Sequence, residues 1–458
     1  MSAAVETLRP AGVVPAKRGR WIDDWRPEDP AFWADGGARV ARRNLIFSIF
    51  SEHIGFSVWT MWSVLVLFLG PAYHVDAAGK FLLTAVPALV GSVLRLPYTF
   101  AVATFGGRNW TIVSATLLLL PTIPAAILIK PGVSHTTLIV LAAVTGVGGG
   151  NFASSMANIN AFYPQRRKGW ALGLNAGGGN IGVAAIQLVG LAVLAAAGAG
   201  HPRLVAGVYI PVIVLAALSA ALFMNNLTSA KNDKRAMRDV TKDGHTWIMS
   251  FLYIGTFGSF IGFGFAFGQV LQVQFKPEFK TAIDAAYLTF LGPLLGSLIR
   301  PVGGWLADRV GGALVTFWNF VAMAAAAGTV LVASEKKSLS LFLIGFIALF
   351  VFSGVGNGST YKMIPAIFKA KAGRLIADGT DAELAERESR RLAGALIGIA
   401  GAVGAFGGVL VNVAYRQSFL TYKTGDAAYL AFIAFYAVCF VVTWAVYLRP
   451  SARRLTGV

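Results

Sequence analysis

The chain has 458 residues, of which 56% are hydrophobic and only 13% charged, with a net charge of +18 and a mean hydropathy of +0.65. Soluble domains carry about 25% charged residues, so a soluble globular enzyme is excluded. The apolar residues also come in blocks long enough to cross about 30 Å of hydrocarbon.

Residues 1–43 precede the first block and carry Arg9, Lys17, Arg18, Arg20, Arg26, Arg39, Arg42 and Arg43 with no apolar run before them. This segment reads as a cytosolic leader rather than a cleavable signal, with Trp21, Trp25 and Trp33 placed on the membrane surface. Twelve transmembrane helices then follow near 45–69, 81–104, 110–129, 136–162, 169–198, 204–225, 247–273, 282–306, 312–333, 339–368, 392–415 and 427–448. The expected fold is all-α and membrane-embedded, with a six-helix bundle over 44–226, a cytosolic linker over 227–245, a second bundle over 246–448 and a cytosolic tail over 449–458. The segment Lys369–Arg391 reads as short and irregular. Cytoplasmic segments hold 27 Lys or Arg against 9 in the opposite loops. This bias predicts both termini in the cytoplasm and explains the positive charge without nucleic acid. Single Cys439 forms no internal disulfide, and no spacing suggests a metal or cofactor.

The two bundles share a design. The second block contains Gly91-Ser92-Val93-Leu94-Arg95 and the eighth Gly296-Ser297-Leu298-Ile299-Arg300, 205 residues apart. The fourth contains Gly146-Val147-Gly148-Gly149-Gly150-Asn151 and the tenth Gly354-Val355-Gly356-Asn357-Gly358, 208 residues apart. Two nearly equal offsets imply two pseudo-symmetric six-helix halves, the arrangement in which transporters hold substrate at mid-membrane.

Arg95 and Arg300 are the informative charges. A charge at the bilayer centre costs about 2.5–3.5 kcal/mol on insertion scales, and arginine does not shed its proton. Each therefore needs an anionic partner or a watery cavity. Acidic residues in the apolar blocks are too few to neutralise both, so a small oxyanion gripped between the halves is the simplest partner. A structural pair, or arginines reaching headgroups, is the other reading. The glycines of helices four, five and eleven let helices approach closely, and Asn151, Asn158, Asn175, Asn180 and Asn357 add amides among them.

Gly303-Gly304-Trp305-Leu306-Ala307-Asp308-Arg309-Val310-Gly311 resembles the Gly-x-x-x-Asp-Arg-x-Gly loop of the major facilitator superfamily. The first-half loop, Phe105-Gly106-Gly107-Arg108-Asn109, lacks the Asp-Arg pair. Asp308 and Arg309 are read as a gating latch. The runs Gly146–Pro164 and Gly354–Phe368 resemble the two nitrate signatures of the NarK-type nitrate/nitrite porters, a branch of that superfamily. The resemblance implies the major facilitator fold in a bacterial cytoplasmic membrane, with nitrate gripped by Arg95 and Arg300. It also implies Asn175 and Tyr253 as donors to the anion, Phe152 and Phe257 as pocket walls, and no catalytic residue.

Three departures from the exchangers of that family bear on coupling: Glu52 and His53 in helix one, Lys362 in helix ten, and Gly401 in helix eleven. A symporter needs groups that change charge, and His titrates near neutrality. The reading is proton-coupled nitrate import, with Lys362 pairing Glu52 when the site is empty and releasing it when nitrate arrives. At least two protons per nitrate would make import electrogenic. A static Glu52–Lys362 bridge with His53 as a helix–helix donor is the alternative, as is nitrate/nitrite antiport. A porter for another small anion and a nitrate sensor are the minor readings. A monomer is expected.

Overall fold

A computed structural model describes residues 18–230, 233–450, 455 and 457–458. Arg9, Lys17, Lys231, Arg453 and Arg454 of the basic tally lie outside the described residues, as does the rest of 1–17.

Among the described residues, eleven helices are long and apolar enough to cross a membrane. They are α2 (Ala77–Phe105), α3 (Gly107–Leu128), α4 (His135–Phe162), α5 (Gln165–Ala197), α6 (Arg203–Phe223), α7 (Gly244–Gln274), α8 (Ala282–Val310), α9 (Gly312–Glu335), α10 (Leu339–Ala377), α11 (Ala382–Tyr422) and α12 (Asp426–Leu448). The twelfth crossing is α1 (Ala38–Trp59), which breaks at Thr60 and resumes over Trp62–Leu65. At the break Thr60 Oγ1 donates to the Phe56 carbonyl at 2.8 Å and Ser63 Oγ donates to the Thr60 carbonyl at 2.6 Å, each beside a backbone N–H on the same oxygen, so the hydroxyls compete locally with the helical ladder. Leu120, Ile127, Leu215 and Leu222 are exposed on the outside of the bundle, which suits lipid and not water.

The repeat seen in the sequence is a repeat of backbone geometry. α2 ends at Gly106 (φ 88°) and α8 at Gly311 (φ 95°), 205 residues apart. Both lie in the left-handed region, which glycine adopts without strain. In each half the signature glycines let two helices touch backbone to backbone. A Cβ on Gly149 would stand 2.7 Å from Gly91 Cα, and one on Gly354 would stand 2.1 Å from the Gly296 carbonyl oxygen. A Cβ on Gly358 would meet the Arg300 carbonyl oxygen at 2.3 Å, whereas one on Gly373 meets nothing within 4 Å. Gly358→Ala therefore forces α10 off α8, at a cost of about 1–3 kcal/mol. The expected result is a lowered unfolding temperature in detergent for Gly358→Ala and an unchanged one for Gly373→Ala.

Two expectations about polar segments are corrected. Trp25 and Trp33 are buried in protein, not laid on a membrane surface. Trp25 Nε1 donates to the Phe162 carbonyl at 3.2 Å, and Trp33 packs edge-on against Tyr163. The described part of the leader, from residue 18 on, is folded onto the end of α4 because Trp25 and Trp33 find apolar partners there. Its strand β1 (Trp21–Ile22) pairs in parallel with β2 (Asn226–Leu227) of the linker, and Glu28 accepts from the Gln165 amide at the start of α5.

The segment 369–391 is regular, not irregular. α10 and α11 continue through it as a helical hairpin that turns at Asp378–Asp381, where Gly379 takes φ 95°. At 39 and 41 residues they run about 60 Å, far beyond the hydrocarbon thickness. Lys, Arg, Glu, Leu and Ala dominate the segment, and all are strong helix formers.

The hairpin holds the linker. Arg391 donates to Asp239 on the linker helix Lys234–Val240 at 2.8 Å and to Asp233, which caps the start of that helix, at 3.2 Å. The Arg391 hydrogen bond holds the Asp239 carboxyl below its ordinary range; the Ala236 amide, then Arg391, does the same for Asp233. Carboxylates with depressed pKa contribute at neutral pH, and the contribution is lost as pH falls through the depressed value. Arg391→Ala is expected to speed proteolysis of the linker at neutral pH, where the wild type resists; in acid the difference shrinks.

Candidate functional site

The halves meet around a cavity of about 1350 Å³. Its floor carries Arg300, Gly358 and Tyr361, and its mouth carries Lys168, Asp233, Lys369 and Arg390. The mouth therefore faces the end of the molecule that holds the linker. At the opposite end the halves are tied together. Thr84 Oγ1 donates to Asn412 Oδ1 at 2.8 Å, Gln269 Nε2 donates to the Ala77 carbonyl at 2.6 Å, and Phe81 stacks on Tyr415 and Phe419. Access is from the linker end in this conformation.

Beyond the floor lies a buried polar cluster. Arg95, on α2, is fully buried, with its guanidinium 4.6 Å from the Phe152 ring, 4.8 Å from Phe257 and 5.3 Å from Trp59. Aromatic faces stabilise a cation by roughly 2 kcal/mol when desolvated. Nε donates to the Gly149 carbonyl at 3.1 Å and Nη1 to the Gly401 carbonyl at 2.8 Å, so the side chain spans the two halves. Arg300, on α8, donates through Nη2 to Tyr253 Oη at 3.3 Å. A guanidinium only donates, so Tyr253 accepts there and keeps its own proton for another acceptor. Arg95 Nη2 and Arg300 Nη1 are buried without a protein partner among the described residues. The two guanidiniums are within electrostatic reach of each other and of Glu52.

α7 prepares one wall. Its turn Ile254–Gly258 is wound wide, as a π-helix, a form frequent at functional sites. Tyr253 precedes the turn and Phe257 lies within it; the two rings stack at 5.2 Å, and Phe257 in turn stacks on Phe152 at 6.0 Å across the halves. The expected walls Phe152 and Phe257 thus lie together, directly over Arg95.

The remaining expected residues fall elsewhere. Asn175 Nδ2 donates to Glu52 Oε2 at 2.6 Å and to Ser155 Oγ at 2.7 Å, and Ser155 is bonded to Ser48 at 2.8 Å. The amide expected to meet the anion is here committed to Glu52. His53 Nδ1 donates to the Gly178 carbonyl at 3.1 Å, tying α1 to α5. Lys362 does not pair with Glu52. It bonds both Asp308 oxygens, at 2.9 and 2.7 Å, joining α10 to the end of α8. The physical reason is depth: Lys362 lies half-exposed beside the cavity mouth, whereas Glu52 is buried against α5. Arg309 lies over the Trp305 ring at 4.1 Å, so the two side chains of the expected latch face different partners, Asp308 reaching Lys362 of α10 and Arg309 staying on α8.

Sequence reasoning missed Ser48, Ser155, Trp59 and Tyr361. Tyr361 had a usable signal: it follows Gly354 and Gly358 by seven and three residues, which puts it on the helix face that meets α8.

Two matched helical halves around a chamber entered from one end describe a membrane transporter, not an enzyme. The profile of the Major Facilitator Superfamily matches residues 45–411. Among solved structures, the fold is similar to that of the xylose transporter XylE from E. coli, with a TM-score of 0.66 at 12% identity over 91% of this chain and 99% of that one. Among curated proteins, the chain is 36% identical to the nitrate/nitrite transporter NarU of Salmonella typhimurium, over 94% of this chain and 97% of that protein. It is 33% identical to the probable nitrate/nitrite antiporter NarK2 of Thermus thermophilus, over 95% and 98%. The chain belongs to the NarK-type nitrate/nitrite porter family of the major facilitator superfamily.

Proposed function

We propose that the protein imports nitrate across the bacterial cytoplasmic membrane by alternating access, coupled to protons, with both termini in the cytoplasm. The observation that carries the reading is the pair of buried guanidiniums from repeat-related positions, one per half, each with an N–H that has no protein partner among the described residues. A monovalent oxyanion between them lowers the charge of the cluster and satisfies donors that are costly to leave unpaired. Tyr253, with its proton free of Arg300, is a further donor. Phe152 and Phe257 exclude water above the anion.

Glu52 is the coupling group of this reading. Among the described residues it is the only buried acidic side chain. Ionised, it offsets part of the arginines' charge in the empty carrier; once nitrate supplies that negative charge, Glu52 takes a proton and travels with it. The Lys362–Asp308 pair serves instead as a clamp on the open end.

Nitrate/nitrite antiport is the second reading, supported by the relative named as a probable antiporter. Uptake of labelled nitrate into proteoliposomes separates the two when the pH gradient and an internal nitrite load are varied independently. Uptake that needs internal nitrite and ignores the pH gradient overturns symport.

A further inference from the structure

Tyr361 lies at the boundary between the open cavity and the buried cluster. Its ring faces the Arg300 guanidinium at 5.7 Å and tilts against Tyr253 at 6.2 Å. Its ring edge lines the cavity floor, yet its hydroxyl oxygen is inaccessible to solvent and has no hydrogen-bond partner among the described residues. The hydroxyl is within electrostatic reach of Arg300, Arg95, Glu52 and Tyr253, the members of the cluster. A phenol that served only as packing would have no need of its oxygen there, because an orphaned buried hydroxyl is destabilising.

Nitrate and nitrite differ in the number of oxygens. Nitrite offers two, and the free N–H groups of the two guanidiniums, with the Tyr253 hydroxyl beside Arg300, can meet both. Nitrate is a planar trigonal ion with a third oxygen, which points away from those two and needs a donor of its own. We propose that Tyr361 is a nitrate-binding residue whose phenol donates to the oxygen the guanidiniums leave uncovered, and that this contact sets preference for nitrate over nitrite. The inference rests on the substrate reading above.

The test is equilibrium binding of nitrate and of nitrite to the purified full-length protein in detergent, comparing the wild type with Tyr361→Phe, which keeps the ring over Arg300. Nitrate affinity is expected to fall about tenfold or more, the factor carried by a hydrogen bond to a charged acceptor, while nitrite affinity stays within about twofold, there being no third oxygen to lose its donor. If both anions weaken alike, or neither does, the assignment of Tyr361 is overturned while nitrate binding by the wild type still supports the substrate reading. A wild type that binds neither anion sinks the substrate reading and this inference with it. Should the Phe variant fold poorly, the infrared tyrosine C–O bands of the wild type decide: beside the shift that Tyr253 gives with either anion, a second band shifts on nitrate alone if the Tyr361 phenol donates to the third oxygen, and no band is specific to nitrate if it does not.

Discussion

Arg300→Lys is expected to reduce nitrate uptake by at least about a hundredfold while leaving the protein folded. Arg300 uses one nitrogen to fix Tyr253 and leaves another, Nη1, for the anion. Lysine keeps the charge but concentrates its donors on one tetrahedral nitrogen, so it does not hold both partners in a plane. Losing two charge-assisted contacts at about 1.5–3 kcal/mol each gives the expected factor. Arg95→Lys goes further. Arg95 spans the halves through Gly149 and Gly401 and lies against the rings of both Phe152 and Phe257; an ammonium there loses the planar contact with the rings and one of the two carbonyls. Initial rates in proteoliposomes, normalised to inserted protein, measure both variants. Uptake within threefold of wild type for either would remove the arginine pair from the binding site.

The arginines were legible in the sequence because burying a cation in an apolar run is costly wherever it occurs, so its presence needs no structure to be informative. The glycine signatures were legible for a similar reason: an absent side chain at repeated positions implies contact between backbones, and Gly149 against Gly91 and Gly354 against Gly296 bear that out. Pairings were not legible. Glu52 and Lys362 are both charges in apolar blocks, and sequence gives neither depth nor direction. Structure separates them because Lys362 extends to water near Asp308 while Gly179 lets Glu52 press against α5, where a Cβ would stand 2.2 Å from its Oε1. Asn175 shows the same limit: its place among glycines was readable, but not that its amide turns toward Glu52. The regular hairpin was missed because its charged residues read as loop once hydropathy alone sets the helix ends.

Glu52→Gln is expected to abolish nitrate accumulation driven by an inward proton gradient while preserving exchange of labelled nitrate at equal pH. Glutamine is nearly isosteric, and its Oε1 still accepts from Asn175, so the packing of α1 on α5 survives. What is lost is the ionised state. A pair of opposite charges about 4–6 Å apart is worth roughly 3–4 kcal/mol at an effective dielectric of about 20. Without a carboxylate near both arginines the empty carrier returns with its cations uncompensated, and net uptake falls by at least about tenfold. The loaded carrier is less affected, because nitrate supplies the negative charge and the wild-type Glu52 would by then be neutral. The sign with pH follows. Acidifying the outside accelerates wild-type uptake because protonation of Glu52 accompanies binding, and the Gln variant, already neutral, does not respond. Equal pH dependence in wild type and variant would transfer the coupling role away from Glu52. The role would then fall to His53, whose Nδ1–H is held by the Gly178 carbonyl while Nε2 keeps its lone pair, or to exchange without any proton step, with two fixed cations that close only around an anion.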